Sequence, residues 1–165
     1  MKKLAKFHKI NHSQYKVKDN VCLRWLITYI VGSYQHGFIK GLDNKINLNW
    51  LDTSSVTDMG SLFKNLKYYG SISKWDTSNV TNMSEMFADS EIKSDISKWN
   101  VSKVKNMSGM FMACMFNSNI GDWDVSHVED MSKMFYISAF DRDISKWNVS
   151  HVKYMNYMFY SAVYF

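Results

Sequence analysis

His127 and His151 stand 24 residues apart, and a pair of imidazoles is a common start to a transition-metal site. Zinc needs three or four ligands, and the residues at the same interval upstream, Lys103 and Asn79, supply none. Asp95 and Asp143 are separated by twice that interval, with Asn119 midway. Two carboxylates about 10 Å apart could divide general acid and base work between them, but no nucleophile or third partner accompanies the pair. Glu129 falls between Lys105 and Lys153, and Asp122 between Lys98 and Lys146, at the same 24-residue steps. These suit exposed ion pairs, each worth ~0–1 kcal/mol, that set register rather than react. Cys22 and Cys114 lie in unrelated settings and read as free thiols, not as a disulfide framework. Seven glycines and no proline leave no Gly-rich phosphate loop. An enzyme is therefore not expected, nor is any cofactor or bound metal.

Aromatic residues near the C-terminus carry a different chemistry. Tyr136 and Tyr160 continue a column that begins Lys64, Ala88 and Met112, and Tyr157 follows Lys133 in another. Tyr154, Tyr164 and Phe165 add to them. Aromatics left in water are typical anchors of protein interfaces. The candidate interface is Trp147, Val152, Tyr154, Met155, Tyr157, Met158, Tyr160, Tyr164 and Phe165. An apolar patch of that kind commonly marks association, and a two-fold arrangement would close it as a homodimer. Alternatively, Tyr164 and Phe165 fold back and cover the patch within one chain.

The interval of 24 is the chain's own period. From residue 48 it recurs five times, over 48–71, 72–95, 96–119, 120–143 and 144–165. The columns are Leu51, Trp75, Trp99, Trp123 and Trp147; Val56 to Val152; Met59 to Met155; and Phe63 to Phe159. A short fixed period predicts a solenoid, each coil burying its apolar side against its neighbours. In Ile96–Val101 apolar and polar residues alternate, which predicts a short strand. In Val104–Phe111 the apolar interval is three and four, which predicts one or two helical turns. Upstream, residues 19–35 predict a helix capped by Asp19 or Asn20, so 19–47 reads as a helical cap and connector. Residues 1–18 read as a basic arm.

The net charge of +5 is unevenly shared. Residues 1–47 hold nine Lys or Arg against Asp19 and Asp43, while the five copies hold eleven basic and thirteen acidic residues. No basic stripe runs along the copies as nucleic-acid binding would need. Binding of nucleic acid or an anionic membrane through the basic N-terminal segment is the lesser alternative. The apolar run Val21–Val31 contains Arg24 and is too short to span a bilayer, which takes about 20 residues. With no export signal evident, the sequence by itself predicts a cytoplasmic or non-classically exported protein.

The text of the copies is itself recognisable. Runs such as Trp75-Asp-Thr-Ser-Asn-Val-Thr-Asn-Met-Ser-Glu-Met-Phe87 and Asp95-Ile-Ser-Lys-Trp-Asn-Val-Ser-Lys-Val-Lys-Asn-Met-Ser-Gly-Met-Phe111 resemble BspA-like leucine-rich-repeat surface proteins. That bacterial family includes mycoplasma lipoproteins. The resemblance covers residues 48–165 and implies a leucine-rich-repeat-like solenoid of short parallel strands and helical turns. It also implies cell-surface display and adhesin-like binding of a host protein. The expected function is a non-enzymatic protein-interaction module. The alternative is a structural protein that self-assembles through its last coil.

Overall fold

The computed structural model describes residues 15–33 and 46–162. It opens with a two-residue strand, β1 (Tyr15–Lys16), followed by helix α1 (Asn20–Ile27). Asp19 caps the helix: its backbone is extended and its Oδ1 accepts the Cys22 amide at 2.7 Å. Leu23, Leu26 and Ile27 recur at helical spacing and form the buried face. Where the sequence pattern predicts a helix over 19–35, the α-helix ends at Ile27 and continues as a single π turn, Thr28–Gly32. The expected end signal at Gly37, most of the basic arm and most of the connector lie outside the described residues.

Beyond residue 46 the expected leucine-rich-repeat-like solenoid, five coils each of a strand plus a helical turn, is not what forms. The described residues hold one α-helix, the π turn and two small two-stranded parallel sheets. One joins β1 to β2 (Leu51–Asp52), the other β3 (Lys67–Tyr68) to β4 (Glu91–Ile92). Everything else is turn and irregular chain, for two local reasons.

The first is the Asx side chain. Asp95 Oδ1 accepts the amide of Ser97 at 2.9 Å, and Asn100 Oδ1 accepts that of Ser102 at 3.0 Å. Such bonds bend the backbone into turns that compete with strand. The Trp99 amide then reaches Ile96 O at 3.1 Å, and the Val104 amide reaches Val101 O at 2.9 Å. The alternating apolar residues thus come from consecutive turns, not from a pleated strand. The second reason is backbone handedness. Ser61, Glu85, Gly109, Lys133 and Tyr157 have φ of 52–61°, and Asn65, Asp89, Ala113, Ile137 and Ser161, four positions on, have φ of 50–60°. A left-handed residue ends a right-handed helix, so two of them so close leave only tight turns, as a φ > 0 residue at the third turn position requires.

These turns are tied together across the 24-residue interval. Asp58, Asn82, Asn106, Asp130 and Tyr154 form a line of single-residue parallel bridges. The amides of Met83, Glu85, Phe87 and Asp89 donate to the carbonyls of Asn106, Ser108, Met110 and Met112 at 2.8–2.9 Å. Side chains follow the same spacing. Phe63, Phe87, Phe111, Phe135 and Phe159 stack with ring centroids 5.5–5.7 Å apart. Four Trp indoles each donate to a carbonyl 27 residues earlier: Trp75 to Leu48, Trp99 to Ile72, Trp123 to Ile96 and Trp147 to Ile120. Buried indoles thereby satisfy their one donor. Aromatic, Met, Val and Ile side chains merge into one continuous core with Leu23, Leu26 and Ile27 of α1.

Candidate functional site

The expected interface residues divide into three sets. Trp147 and Met158 are core, at 9% and 5% exposure, and Val152 and Phe159 pack partly against that core. Tyr154, Met155, Tyr157 and Tyr160 are exposed, Tyr157 most of all at 60%. Tyr164 and Phe165 lie outside the described residues. Of the exposed set, Tyr157 and Tyr160 come together with Tyr136. Tyr136 and Tyr160 stack at 5.3 Å, and Tyr157 meets Tyr160 edge-on at 5.8 Å. The stack arises because Tyr136 and Tyr160 are 24 residues apart on the same turn. Tyr157 is held by its left-handed backbone, with φ 58°. Lys133 joins these three rings around a groove of about 430 Å³.

Tyr154 departs from the turn chemistry of its position. At the equivalent positions Asp58, Asn82, Asn106 and Asp130 each accept the amide two residues on, at 2.7–3.0 Å. A tyrosine cannot make that turn, so Tyr154 gives up a local hydrogen bond and exposes a ring instead. The amides of Met155, Tyr157 and Ser161 have no acceptor among the described residues, whereas those of Met131, Lys133 and Ile137 donate to Tyr154, Asn156 and Tyr160.

A second groove, of about 400 Å³, escaped the sequence reading. Glu85, Gly109 and Lys133 occupy successive 24-residue positions, and Gly109 lacks the side chain that would fill the space between the other two. Ser84, Ser108, Ser132 and Asn156 line it on one side and Met112 on another. The available signal was a column that changes charge across a glycine, Ser61-Glu85-Gly109-Lys133-Tyr157.

The residues that suggested chemistry make the following contacts. His127 and His151 are exposed, each with Nδ1 near the preceding serine hydroxyl, at 3.2 and 3.4 Å. No group of three potential metal ligands exists among the described residues. Asp95 and Asp143 each accept the amide two positions on, and Asn119 between them does likewise with Gly121. Lys153 pairs with Glu129 at 2.6 Å and Lys146 with Asp122 at 3.2 Å. Cys114 is fully buried, its Sγ 3.8 Å from Ser90 Oγ, and burial pushes its thiol pKa up, away from reactivity.

Those carboxyls set an expected acid response. The amides of Ser97 and Ser145 hold Asp95 and Asp143 below the usual carboxylate range, with the serine hydroxyls assisting. At Asp52 and Asp124 the hydroxyls of Ser54 and Ser126 lead and the amides assist. At Glu129 the cause is Lys153. A carboxyl with a depressed folded-state pKa stabilises in full above its unfolded value and loses that contribution as pH falls through the folded one. The melting temperature should therefore hold from pH 7 to about 5 and fall below about pH 4, the unfolded Asp value. A combined Asp95→Asn, Asp124→Asn, Asp143→Asn variant keeps the turns, as Asn100 and Asn119 do, and should show a shallower acid decline by fluorimetric melting. An equally steep decline would assign acid sensitivity to other groups.

No helix of the described residues is long and apolar enough to cross a membrane. No curated protein and no solved structure matches the chain. One family does, over residues 34–138 and again over 90–165, which together span most of the sequence. The chain belongs to the family described as Mycoplasma protein of unknown function, DUF285.

Proposed function

We propose that this protein is a non-enzymatic interaction module of BspA-like type, displayed at the cell surface, that binds a host protein in the manner of an adhesin. The observation that carries this reading is the tyrosine group. Tyr157 and Tyr160 are 60% and 55% exposed, yet interlocked with the half-buried Tyr136. Rings fixed in this way contribute contact area at small entropic cost, because little side-chain freedom is left to lose. Tyr154, exposed at a position otherwise reserved for a turn-forming Asx, extends the surface.

Site-specific photo-crosslinking tests this. With a benzophenone side chain replacing Tyr157, the protein should crosslink to one host surface protein on intact cells. The same label replacing Lys103, an exposed lysine bonded to Asn79, should not. Equal crosslinking from both positions, or none from Tyr157, would overturn the reading.

Exposed Val149 and Met155 favour self-association as a second reading. A two-fold pairing of this face would set the amides of Met155, Tyr157 and Ser161 against the same donors of the other copy. Side chains would therefore have to hold it. Light scattering on wild type and on Val149→Lys, Met155→Lys decides it: the reading needs a dimer that the lysines dissociate. Met158 is unsuitable for this purpose, because a lysine there would enter the core.

A further inference from the structure

We infer that the two grooves meeting at Lys133 take an acidic, aromatic-bearing peptide segment of the protein partner, with a carboxylate on Lys133 and the adjoining side chain on the tyrosine group. This rests on the protein-binding reading above and names the chemistry of the partner segment. Lys133 belongs to both grooves, one lined by Ser84, Ser108 and Ser132 and opened by Gly109, the other walled by Tyr136, Tyr157 and Tyr160.

The charge pattern selects an anion. Glu85, across the Gly109 gap, is already engaged: its Oε2 takes Lys64 Nζ at 2.8 Å and the Ser61 hydroxyl at 3.3 Å. Lys133 makes no ion pair among the described residues, whereas Lys64, Lys67, Lys146 and Lys153 each do. The groove therefore offers a cation without an ion-pair partner beside the hydroxyls of Ser84 and Ser132, with its one nearby carboxylate neutralised; the Ser108 hydroxyl is already given to Asn106 Oδ1 at 2.7 Å. Carboxylate binding there gains from charge-assisted hydrogen bonds. The aromatic wall beside it favours an apolar or aromatic neighbour at the next same-side position, two residues along an extended chain. The gap exists because residue 109 is glycine: it is left-handed, with φ 61°, and an added Cβ would stand 3.3 Å from Glu85 Cγ.

Two fluorescent capped decapeptides provide the test, one alternating Glu with pairs of Phe and Ser, the other with Gln for Glu. Fluorescence anisotropy on the full chain should show the Glu peptide binding about tenfold more tightly than the Gln peptide at low salt. The difference should shrink as salt screens the contact. Lys133→Gln should abolish the preference, Lys133→Arg should keep it, and Lys103→Gln should leave it unchanged. Matching melting curves for Lys133→Gln and wild type confirm that folding is not the cause. Equal affinity for both peptides, binding of neither, or a preference indifferent to Lys133→Gln would overturn the inference. So would saturable binding of an acidic oligosaccharide such as a heparin hexamer with no binding of the Glu peptide. If Tyr157→Ser, Tyr160→Ser loses the host protein while Lys133→Gln retains it, this inference fails and the protein-binding reading stands.

Discussion

Replacing Trp99 with alanine should cost about 3–5 kcal/mol, the range for a large core aromatic, and should abolish a cooperative thermal transition near that of the wild type. Trp99 is 4% exposed, lies parallel to Trp75 at 6.4 Å and tilts against Phe87 at 6.2 Å. Its indole donates to Ile72 O at 3.2 Å. Truncation therefore empties a ring-sized volume between neighbours that cannot close without breaking the stack, and it removes one of the two donors to Ile72 O, which keeps the Trp75 amide at 3.1 Å. The loss should spread, because the same Phe and Trp columns connect Phe63 to Trp147 without interruption. Trp99→Phe separates the effects: it restores most of the volume but not the hydrogen bond, and should fall between the two. Denaturant unfolding followed by the remaining tryptophans measures all three. A loss under about 1 kcal/mol for alanine would place this ring on the surface and undo the packing account.

Removing the residues before 46 should give an insoluble or aggregating protein. Leu48, Leu51 and Val56 are at most 2% exposed, and β1 and α1 form part of their cover. Each side chain of that size returned to water costs about 1.5–3 kcal/mol. The backbone suffers as well. Asn20 Oδ1 accepts the amides of Thr57 and Asp58 at 3.0 and 3.2 Å. This is the task that Thr57 O performs for Thr81 and Asn82, Thr81 O for Lys105 and Asn106, and Lys105 O for Glu129 and Asp130. A side-chain amide thus takes the place of a peptide carbonyl where the line of bonds begins. Arg24 adds a bond to Gly60 O at 2.7 Å, and the Val17 amide one to Asp52 O at 3.0 Å. Asn20→Ala removes the carbonyl mimic together with the bond from its Nδ2 to Thr57 Oγ1 at 3.2 Å, and should leave a soluble protein less stable by about 1 kcal/mol. A soluble, cooperatively melting protein beginning at Ile46 would show that the N-terminal elements serve another purpose.

Burial was the legible part of the sequence. Trp75, Trp99 and Trp123, Val56 to Val128, Met59 to Met131 and Phe63 to Phe135 are nearly or completely buried, as their recurrence suggests. Local conformation was not legible from apolar spacing, because two other preferences override it. An Asx residue followed two positions later by Ser or Gly is written repeatedly, as at Asp76-Thr-Ser78, Asn82-Met-Ser84 and Asn119-Ile-Gly121, and each spells a turn. The left-handed positions gave less warning. Only Gly109 carries the residue that advertises them, while Glu85, Lys133 and Tyr157 adopt the same conformation without it.

For the site, the exposed tyrosines could be picked out because Tyr154 and Tyr157 stand where earlier copies carry other residue types, and Tyr160 lies in a varied column beside Tyr136. Trp147 and Met158 could not be told from them, since position in the last 24 residues does not reveal which side of the turn a side chain takes. The Lys133 grooves stayed hidden for a related reason. The one between Glu85 and Lys133 exists through the absence of a side chain at Gly109, and an absence has no hydropathy.

We propose that a host protein is held by the fixed tyrosine surface. The most direct measurement is the affinity of the crosslinked host protein, once purified, for wild type, for Tyr157→Ser, Tyr160→Ser, and for Lys103→Ala, by calorimetry at physiological salt. Two anchoring aromatics at an interface each cost upwards of about 2 kcal/mol on truncation, so the double variant should bind roughly a thousandfold more weakly, with an unchanged melting temperature and with Lys103→Ala equal to wild type. Retention of affinity within about threefold in the double variant would contradict the account.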